Sequence, residues 1–114
     1  MLEFSPIMGD DAGMEKLKPH FALIDIKAVF ADAARLNRSF VSKQGADDLD
    51  MDDADVVATI QALTPADFEK SMTSIADHKV WQDVYKPNVS GRVLYVKFTL
   101  DARGALFLIS FKEA

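Results

Sequence analysis

Five polar side chains in the second half of the chain have the chemistry needed to cleave an RNA phosphodiester without a metal ion. They are Lys70, Gln82, Tyr95, Lys97 and Lys112. Attack by the RNA's own 2′-hydroxyl requires proton transfer from that hydroxyl and to the leaving oxygen, and positive charge on the phosphorane. Lysines supply charge, and a lysine with a lowered pKa can transfer protons. Tyrosine can align the hydroxyl or stack on a base, and glutamine can read a base edge or position a phosphate oxygen.

Each of these residues also has an ordinary structural interpretation. A lysine at the end of a sheet is usually solvated, and Tyr95 can be a cross-strand aromatic residue with its hydroxyl in water. His78 follows Asp77 in a predicted turn, where a hydrogen-bonded structural histidine is commoner than a catalytic one. Taken alone, the residue types do not decide between these interpretations, because fold and composition do not imply function.

Several other site types are excluded by the sequence. The chain has no cysteine, so disulfides and thiolate metal sites are impossible. His20 and His78 have no partners at ligand spacing, and we expect neither a metal ion nor a cofactor. No GxSxG, P-loop or GxGxxG motif is present, so nothing supports a hydrolase nucleophile or a nucleotide fold.

Length and charge favour one acidic domain with an uneven charge distribution. The chain has 114 residues and a formal charge of −5, and no apolar run approaches a membrane span. Residues 1–64 hold six Lys/Arg against twelve Asp/Glu, whereas residues 65–114 hold seven against six. The second half can therefore carry a local basic face. We expect residues 14–114 to form the domain and residues 1–13 to be an extension, which is non-native or disordered and is not a secretory signal.

The first half of the chain predicts two helices separated by an ambiguous segment. Residues 21–36 predict an amphipathic helix, because apolar residues recur there at helical spacing. In residues 39–49, Phe40 and Val41 favour a short strand and Gly45 favours a turn. The second helix is predicted over residues 52–63.

Aspartates fill the first turn of this second predicted helix, where negative charge favours the helix dipole. Just upstream, Asp48, Asp50 and Asp52 occupy alternate positions, as in an EF-hand calcium loop. However, Asp53 stands where that loop requires glycine, and Thr59 stands where it requires glutamate. We therefore predict a capped, solvated helix start rather than a calcium site.

The second half predicts an antiparallel sheet of about four strands after one tight helical turn at residues 64–67. The strands are predicted near residues 68–74, 82–86, 92–100 and 105–112. Helices on one face of such a sheet make an α+β domain. Alternation in the first strand places Lys70 on the same side as Phe68 and Met72, so this lysine either snorkels or points into a site.

The parity of the last two strands predicts their register. If Leu100 pairs with Ala105, Phe98 faces Phe107 and Val96 faces Ile109, and the apolar faces coincide. Tyr95 then lies opposite Ser110, and Val93 lies opposite Lys112. Tyr95 and Lys112 become diagonal neighbours, roughly 7–8 Å apart, on the face away from the helices. Lys97 shares this face.

Three motifs in this half closely resemble the MqsR (motility quorum-sensing regulator) toxins of bacterial type II toxin–antitoxin pairs. They read FEKSMTSIADHKVWQDVYKP, VLYVKFTL and LFLISFKEA, and the similarity resumes upstream at MEKLKPHFALIDIK. It covers residues 14–114 and is weakest over residues 37–55. The resemblance implies a RelE-like α+β fold, with two or three N-terminal helices on one face of a twisted antiparallel sheet of four to six strands.

The resemblance also implies an activity and a set of site residues. MqsR-like proteins are ribosome-independent, metal-independent mRNA endoribonucleases that cut at GC-containing triplets by 2′-hydroxyl attack. The implied catalytic positions are Lys70 in FEKSMT, Gln82 in WQDVY, Tyr95 in VLYVK and Lys112 in SFKEA. We expect Lys97, Lys86 and His78 to contact the substrate.

The partners implied by the resemblance are mRNA and a cognate MqsA-like antitoxin. The N-terminal domain of the antitoxin covers the toxin, and its C-terminal domain binds operator DNA. No membrane is involved, and the expected location is the cytoplasm.

The sequence departs from the family pattern at three positions. Glu69 and Ile75 replace common tyrosines, and Lys86 replaces a common arginine. Because an acid beside Lys70 opposes the approach of a phosphate, an alternative hypothesis is that the chain keeps the fold as a protein-binding module and has lost cleavage activity.

Overall fold

An antiparallel sheet forms the centre of the molecule in the computed structural model, which describes residues 14–74 and 76–114. Its strands in the described residues are β1 (Glu15–Lys16), β2 (Phe68–Thr73), β3 (Trp81–Tyr85), β4 (Asn88–Val89), β5 (Arg92–Leu100) and β6 (Leu106–Glu113). The first three pair in the order β1–β2–β3, and β3, β4 and β6 all pair with β5. The predicted extension over residues 1–13 lies outside the described residues.

Three helices pack against one face of this sheet, and the predicted α+β class is confirmed. They are α1 (Leu23–Val29), α2 (Phe40–Asp48) and α3 (Asp53–Gln61), with 3₁₀ turns at Ala33–Arg35 and Pro65–Asp67. Within the described residues, no helix is long and apolar enough to cross a bilayer.

The first helix is shorter than predicted. It ends at Val29 instead of continuing to residue 36, and Phe30 is fully buried in the core. The carboxylate of Asp32 accepts a hydrogen bond from the N–H of Ala34 at 2.9 Å and starts a separate 3₁₀ turn. Short polar side chains that bond the backbone locally compete with helix continuation, which explains the break.

Residues 40–48 form helix α2, so the predicted strand at Phe40 and turn at Gly45 are both wrong. The hydroxyl of Ser39 caps the helix by accepting a hydrogen bond from the N–H of Ser42. Gly45 lies inside the helix because α2 packs closely against β6. A Cβ at this position would clash with the carbonyl oxygen of Phe111. The glycine permits close packing rather than a turn.

Two elements that depend on contacts between residues close in the sequence agree with prediction. Helix α3 begins with a capping box, in which Asp52 and Asp55 each accept a hydrogen bond from the other's backbone N–H. The capped helix start predicted in place of a calcium site is therefore confirmed. The turn at Pro65–Asp67 is also confirmed, and the N–H of Thr64 donates to the Asp67 carboxylate at 2.8 Å.

The prediction that Lys70 shares a face with Phe68 and Met72 is wrong for Phe68 and correct for Met72. A bulge lies between Phe68 and Lys70, because Phe68 pairs with Tyr85 while Lys70 pairs with Val84. Phe68 therefore packs against the core with Tyr85. Lys70 lies on the opposite face of the sheet, which it shares with Met72.

The predicted register of β5 and β6 is wrong from the turn onward. Leu100 pairs with Leu106, and Phe98 pairs with Leu108. The connecting loop is longer than expected because the Asp101 carboxylate accepts hydrogen bonds from the N–H groups of Arg103 and Ala105. This Asp-centred loop shifts the alignment by one residue.

A second shift follows within β6 at Ile109, which is left without a partner in the pairing. Beyond this bulge Lys97 pairs with Ser110, and Tyr95 pairs directly with Lys112, where diagonal neighbours were expected. The bulge lets Leu108 and Phe111, three positions apart, both point into the core. Parity analysis does not detect a bulge, so it predicted the wrong partners for both strands.

The core lies between the helices and the sheet. Ile26, Val56 and Ile60 from the helices, and Phe30 just after α1, meet inward residues of β3, β5 and β6. The sheet residues of this buried cluster are Tyr85, Leu94, Val96, Phe98, Leu108 and Phe111. Because these residues point inward, their neighbours along each strand project from the opposite face of the sheet.

Candidate active site

The face of the sheet opposite the helices carries most of the polar residues singled out in the sequence. Cross-strand pairing aligns Lys70 with Val84, Val84 with Lys97, and Lys97 with Ser110, in one row across β2, β3, β5 and β6. We call the five polar side chains on this surface the lysine face. They are Lys70, Gln82, Tyr95, Lys97 and Lys112.

The row is built over an apolar residue. Val84 is fully buried although it lies on this face, and its direct cross-strand neighbours are Lys70 and Lys97. Lysine stems cover apolar surface readily while their amines reach outward. The valine therefore holds two amines over the middle of the sheet.

Tyr95 lies between two of the amines. Its ring centroid is 5.7 Å from Nζ of Lys97 and 5.4 Å from Nζ of Lys112. Cations attracted to a ring face stay near it at such distances. The direct pairing of Tyr95 with Lys112 thus brings a phenol and two amines closer together than the predicted diagonal arrangement.

Lys97 is electrostatically distinct from the other lysines. Burial, followed by repulsion from Lys112 and Lys70, lowers the pKa of its amine from the ordinary value. Each of these causes disfavours the charged form. Lys97 therefore presents a neutral amine more readily than an ordinary lysine does.

The pKa of Lys70 is shifted in the opposite direction, upward. A hydrogen bond of 3.1 Å from its Nζ to the carboxylate of Glu15 raises the pKa of the Lys70 amine. Attraction to Glu15, Tyr95 and Glu69 adds to this effect, while partial burial opposes it. Lys70 therefore holds its proton more firmly than an ordinary lysine.

Glu15 is a site neighbour that sequence analysis missed. It lies on the two-residue strand β1 and pairs with Met72, far along the chain. Two residues are too few to show a period, and nothing in the local sequence indicates the pairing partner. Only the assembled sheet reveals the contact with Lys70.

Gln82 is held on the lysine face by its two neighbours on β3, which point to the other side. The buried Asp83 carboxylate accepts hydrogen bonds from the N–H groups of His20 and Phe21, at 2.9–3.1 Å. The His20 ring stacks on Trp81 with centroids 5.3 Å apart. These contacts anchor β3 and leave Gln82 on the open face, paired with Met72.

Two predicted substrate contacts lie apart from the central row. Lys86 follows β3, and its amine forms an ion pair with Glu69 at 3.2 Å, beside the β2 bulge. His78 is exposed in the connection between β2 and β3. Within the described ranges, no group of three His, Asp or Glu side chains is arranged to hold a metal ion.

The similarity of the chain to known proteins decides its family. The family model described as "Motility quorum-sensing regulator, toxin of MqsA" matches residues 18–113. The chain belongs to this family. It is 39% identical over 101 residues to the mRNA interferase toxin MqsR of Escherichia coli strain K12, covering 88% of this chain and 99% of that protein.

Membership of the motility quorum-sensing regulator family confirms the resemblance seen in the sequence motifs. The match spans α1 to β6, and so includes every strand that contributes to the lysine face. By the description of the family, its members are toxins that have an antitoxin partner.

Proposed function

We propose that this chain is the toxin of a toxin–antitoxin pair and acts as a metal-independent, ribosome-independent mRNA endoribonuclease at GC-containing triplets. Its E. coli relative is named an mRNA interferase toxin. The observation that carries the proposal for this chain is the lysine face itself, where three amines, a phenol and an amide share one surface of the sheet. Because the substrate is mRNA, the proposed place of action is the cytoplasm.

The opposite pKa shifts on this face support an assignment of roles. Lys97, whose pKa is lowered, is the proposed general base that accepts the proton of the 2′-hydroxyl. Lys70, whose pKa is raised, carries the proton that the leaving oxygen needs. Titratable groups whose surroundings drive their pKa values apart are the natural acid and base of a site. Lys97 thus has a proton-transfer role in addition to the expected substrate contact.

The reaction follows from these roles. The 2′-oxygen attacks phosphorus as its proton passes to the Lys97 amine, the bond from phosphorus to the 5′-oxygen breaks, and Lys70 protonates the departing oxygen. The products are a 2′,3′-cyclic phosphate and a 5′-hydroxyl. Lys112 stabilises the charge on the phosphorane, and Tyr95 aligns the attacking hydroxyl. Gln82 holds a base edge or a phosphate oxygen, while Lys86 and His78 contact the RNA further along.

The proposed protein partner is a cognate MqsA-like antitoxin, through which the toxin reaches operator DNA indirectly. The family description supports the pairing, since it names the family as the toxin of MqsA. Binding of such a partner would be expected to relieve the toxicity of the free chain.

A cut-site map on a defined mRNA tests the proposed activity. Purified protein is incubated with the RNA in the presence of excess chelator, and new 5′ ends are mapped by primer extension. We expect specific cuts, which Lys70→Ala reduces by at least about 100-fold, the usual contribution of a proton-transfer group. Tyr95→Phe should also reduce cleavage, because the attacking hydroxyl loses its alignment. Intact RNA at all protein concentrations would refute the endoribonuclease assignment.

A second candidate function, that of a binding module without cleavage activity, is favoured by two ion pairs. Lys70 is paired with Glu15 and Lys86 with Glu69, so carboxylates compete with phosphate for two of the amines. This alternative predicts tight binding of the antitoxin together with intact RNA in the cut-site map. The endoribonuclease proposal predicts both binding and cleavage.

A further inference from the structure

Helix α2 forms one wall of a small cavity at the edge of the lysine face. The cavity has a volume of about 250 Å³ and is open to solvent. Its lining includes Val41, Gln44, Gly45 and Asp48 from α2, and Ser110 and Lys112 from β6. Lys112 therefore belongs both to the lysine face and to this cavity.

The position of the cavity depends on Gly45. The helix approaches β6 so closely that the Gly45 backbone touches the Phe111 carbonyl, where any Cβ would clash. Val41, Gln44 and Asp48 follow one another at helical spacing along the same side of α2. The close approach thus places these residues and Lys112 around the same cavity.

The cavity combines an apolar surface with a specific polar set. Val41 is 65% exposed, and it offers contact area to a flat ring. Asp48 supplies two acceptor oxygens and Gln44 supplies an amide with both donor and acceptor groups. No ion pair engages Asp48 in the part of the chain that the structure describes.

This set matches one RNA base better than the others. A carboxylate can accept two parallel hydrogen bonds from adjacent N–H donors, and only guanine presents such a pair, N1–H and N2–H, on its Watson–Crick edge. Adenine offers an unprotonated N1 at the same position, which a carboxylate repels. The Gln44 amide can donate to guanine O6. Single-stranded RNA is generally read in this way, by unstacked bases bound on their Watson–Crick edges.

We propose that the cavity between α2 and β6 is a guanine-binding subsite of the RNA substrate, with Asp48 as its main specificity determinant. The subsite rests on the proposed function, because a phosphate held by Lys112 would bring the adjoining nucleotide to the cavity mouth. Val41 packs against the base, and Asp48 and Gln44 bind its edge. The subsite therefore selects the nucleotide next to the scissile bond.

The chain offers a matched control for a test of this subsite. Asp48→Asn removes the proposed acceptor pair, whereas Asp47→Asn removes the same charge from the neighbouring helical position. Asp47 pairs with Lys43 at 3.5 Å and does not line the cavity. Cleavage efficiency, kcat/KM, is measured on a set of oligoribonucleotides in which each guanine near the cut site is replaced in turn by adenine or inosine. Inosine lacks only the N2 amino group.

The expected result is a change confined to one substrate position. At that position Asp48→Asn lowers the preference for guanine over adenine by about ten-fold, the size of one lost bidentate base contact. Inosine behaves as an intermediate substrate of the unaltered protein, and Asp47→Asn keeps the full preference. Equal base preferences of Asp48→Asn and the unaltered protein at every position would overturn the subsite.

A binding measurement separates this inference from the proposed cleavage. Fluorescence anisotropy with 2′-deoxy oligonucleotides, which lack the attacking hydroxyl, reports guanine selectivity without any reaction. Asp48-dependent selectivity in binding together with intact RNA in cleavage assays would uphold the subsite and refute the nuclease. Normal cleavage without Asp48-dependent selectivity would refute the subsite and uphold the nuclease.

Discussion

At the scale of single residues, Lys97 is an amine whose surroundings favour its neutral form. Burial and the neighbouring amines of Lys112 and Lys70 lower its pKa. A general base must be unprotonated before it can accept a proton, so the fraction of active protein rises as the pH rises through this lowered pKa. An ordinary lysine would reach the same state only at higher pH.

This difference predicts the behaviour of Lys97→Arg. Arginine keeps the positive charge but does not lose its proton in the working pH range. We expect kcat/KM to fall by at least about 100-fold, and the rise of activity with pH that Lys97 causes to disappear. The measurement is a pH–rate profile of both proteins on one short oligoribonucleotide.

Lys43→Arg, on the exposed surface of α2, is the control and should keep the full profile. A Lys97→Arg protein with unaltered activity and an unaltered pH dependence would exclude Lys97 as the base. Such a result would leave Lys97 as a simple electrostatic contact.

At the scale of elements, the contact between α2 and β6 determines how the edge of the lysine face is built. Gly45 is central to this contact, since a side chain there meets the backbone of Phe111. In an isolated helix, replacing glycine by alanine is stabilising by about 1 kcal/mol. In this protein the clash should outweigh that gain.

Gly45→Ala is therefore predicted to destabilise the fold by about 1–3 kcal/mol, the usual cost of overpacking. Urea denaturation followed by circular dichroism measures the change in the free energy of unfolding. Lys43→Ala, two positions earlier on the solvent side, should change stability by less than about 0.5 kcal/mol. A Gly45→Ala protein more stable than the original would show that α2 does not pack this closely.

The same contact illustrates what the sequence could and could not predict. Helix α3 was predicted because aspartates fill its first turn, where negative charge favours the helix dipole, and such local signals are readable from sequence. Helix α2 was missed because Gly45 is explained by a contact with Phe111, far along the chain. Period-based patterns contain no information about such distant contacts.

For the candidate site too, sequence analysis predicted the features that depend on local spacing and missed those that depend on distant contacts. Alternation along β5 correctly put Tyr95 and Lys97 on one face. The loop at Asp101 and the bulge at Ile109 each shifted the register by one residue, and together they changed the partner of Tyr95 from Ser110 to Lys112. The bulge arises because inward packing of both Leu108 and Phe111 overrides strict alternation. The opposite pKa shifts of Lys70 and Lys97 arise from burial and neighbours, which exist only in the folded sheet.

At the scale of the whole molecule, the acidic and basic groups are unevenly distributed. The chain is acidic, with a formal charge of −5, and many of its aspartates lie on α2, α3 and the loop between them. The amines of the lysine face lie on the other side of the sheet, where Glu15 pairs with Lys70 and Asp48 reaches the edge near Lys112. An acidic protein can therefore attract RNA in one orientation, since local potential rather than net charge steers a ligand.

The salt dependence of RNA binding should report how many charged amines of the lysine face contact phosphates. The two charged amines at the scissile phosphate, those of Lys70 and Lys112, predict a slope at least as steep as about −1.4 for log K against log salt concentration, at about −0.7 per contact with a single strand. A phosphate contact of Lys86 would make the slope steeper. Lys112→Ala should reduce the magnitude of the slope by about 0.7, and Lys43→Ala should leave it unchanged. Anisotropy with a 2′-deoxy oligonucleotide measures both, and identical slopes for all three proteins would refute binding through this face.

The central claim is that the lysine face promotes attack by the RNA's own 2′-hydroxyl, and one substrate tests it most directly. An oligoribonucleotide with a single 2′-deoxy substitution at the mapped cut site is incubated with the protein and excess chelator, beside the unmodified RNA. We predict that the unmodified RNA is cut to a 2′,3′-cyclic phosphate and a 5′-hydroxyl, while the substituted RNA stays intact at that bond. Cleavage of both RNAs, or 3′-hydroxyl and 5′-phosphate ends, would contradict the account.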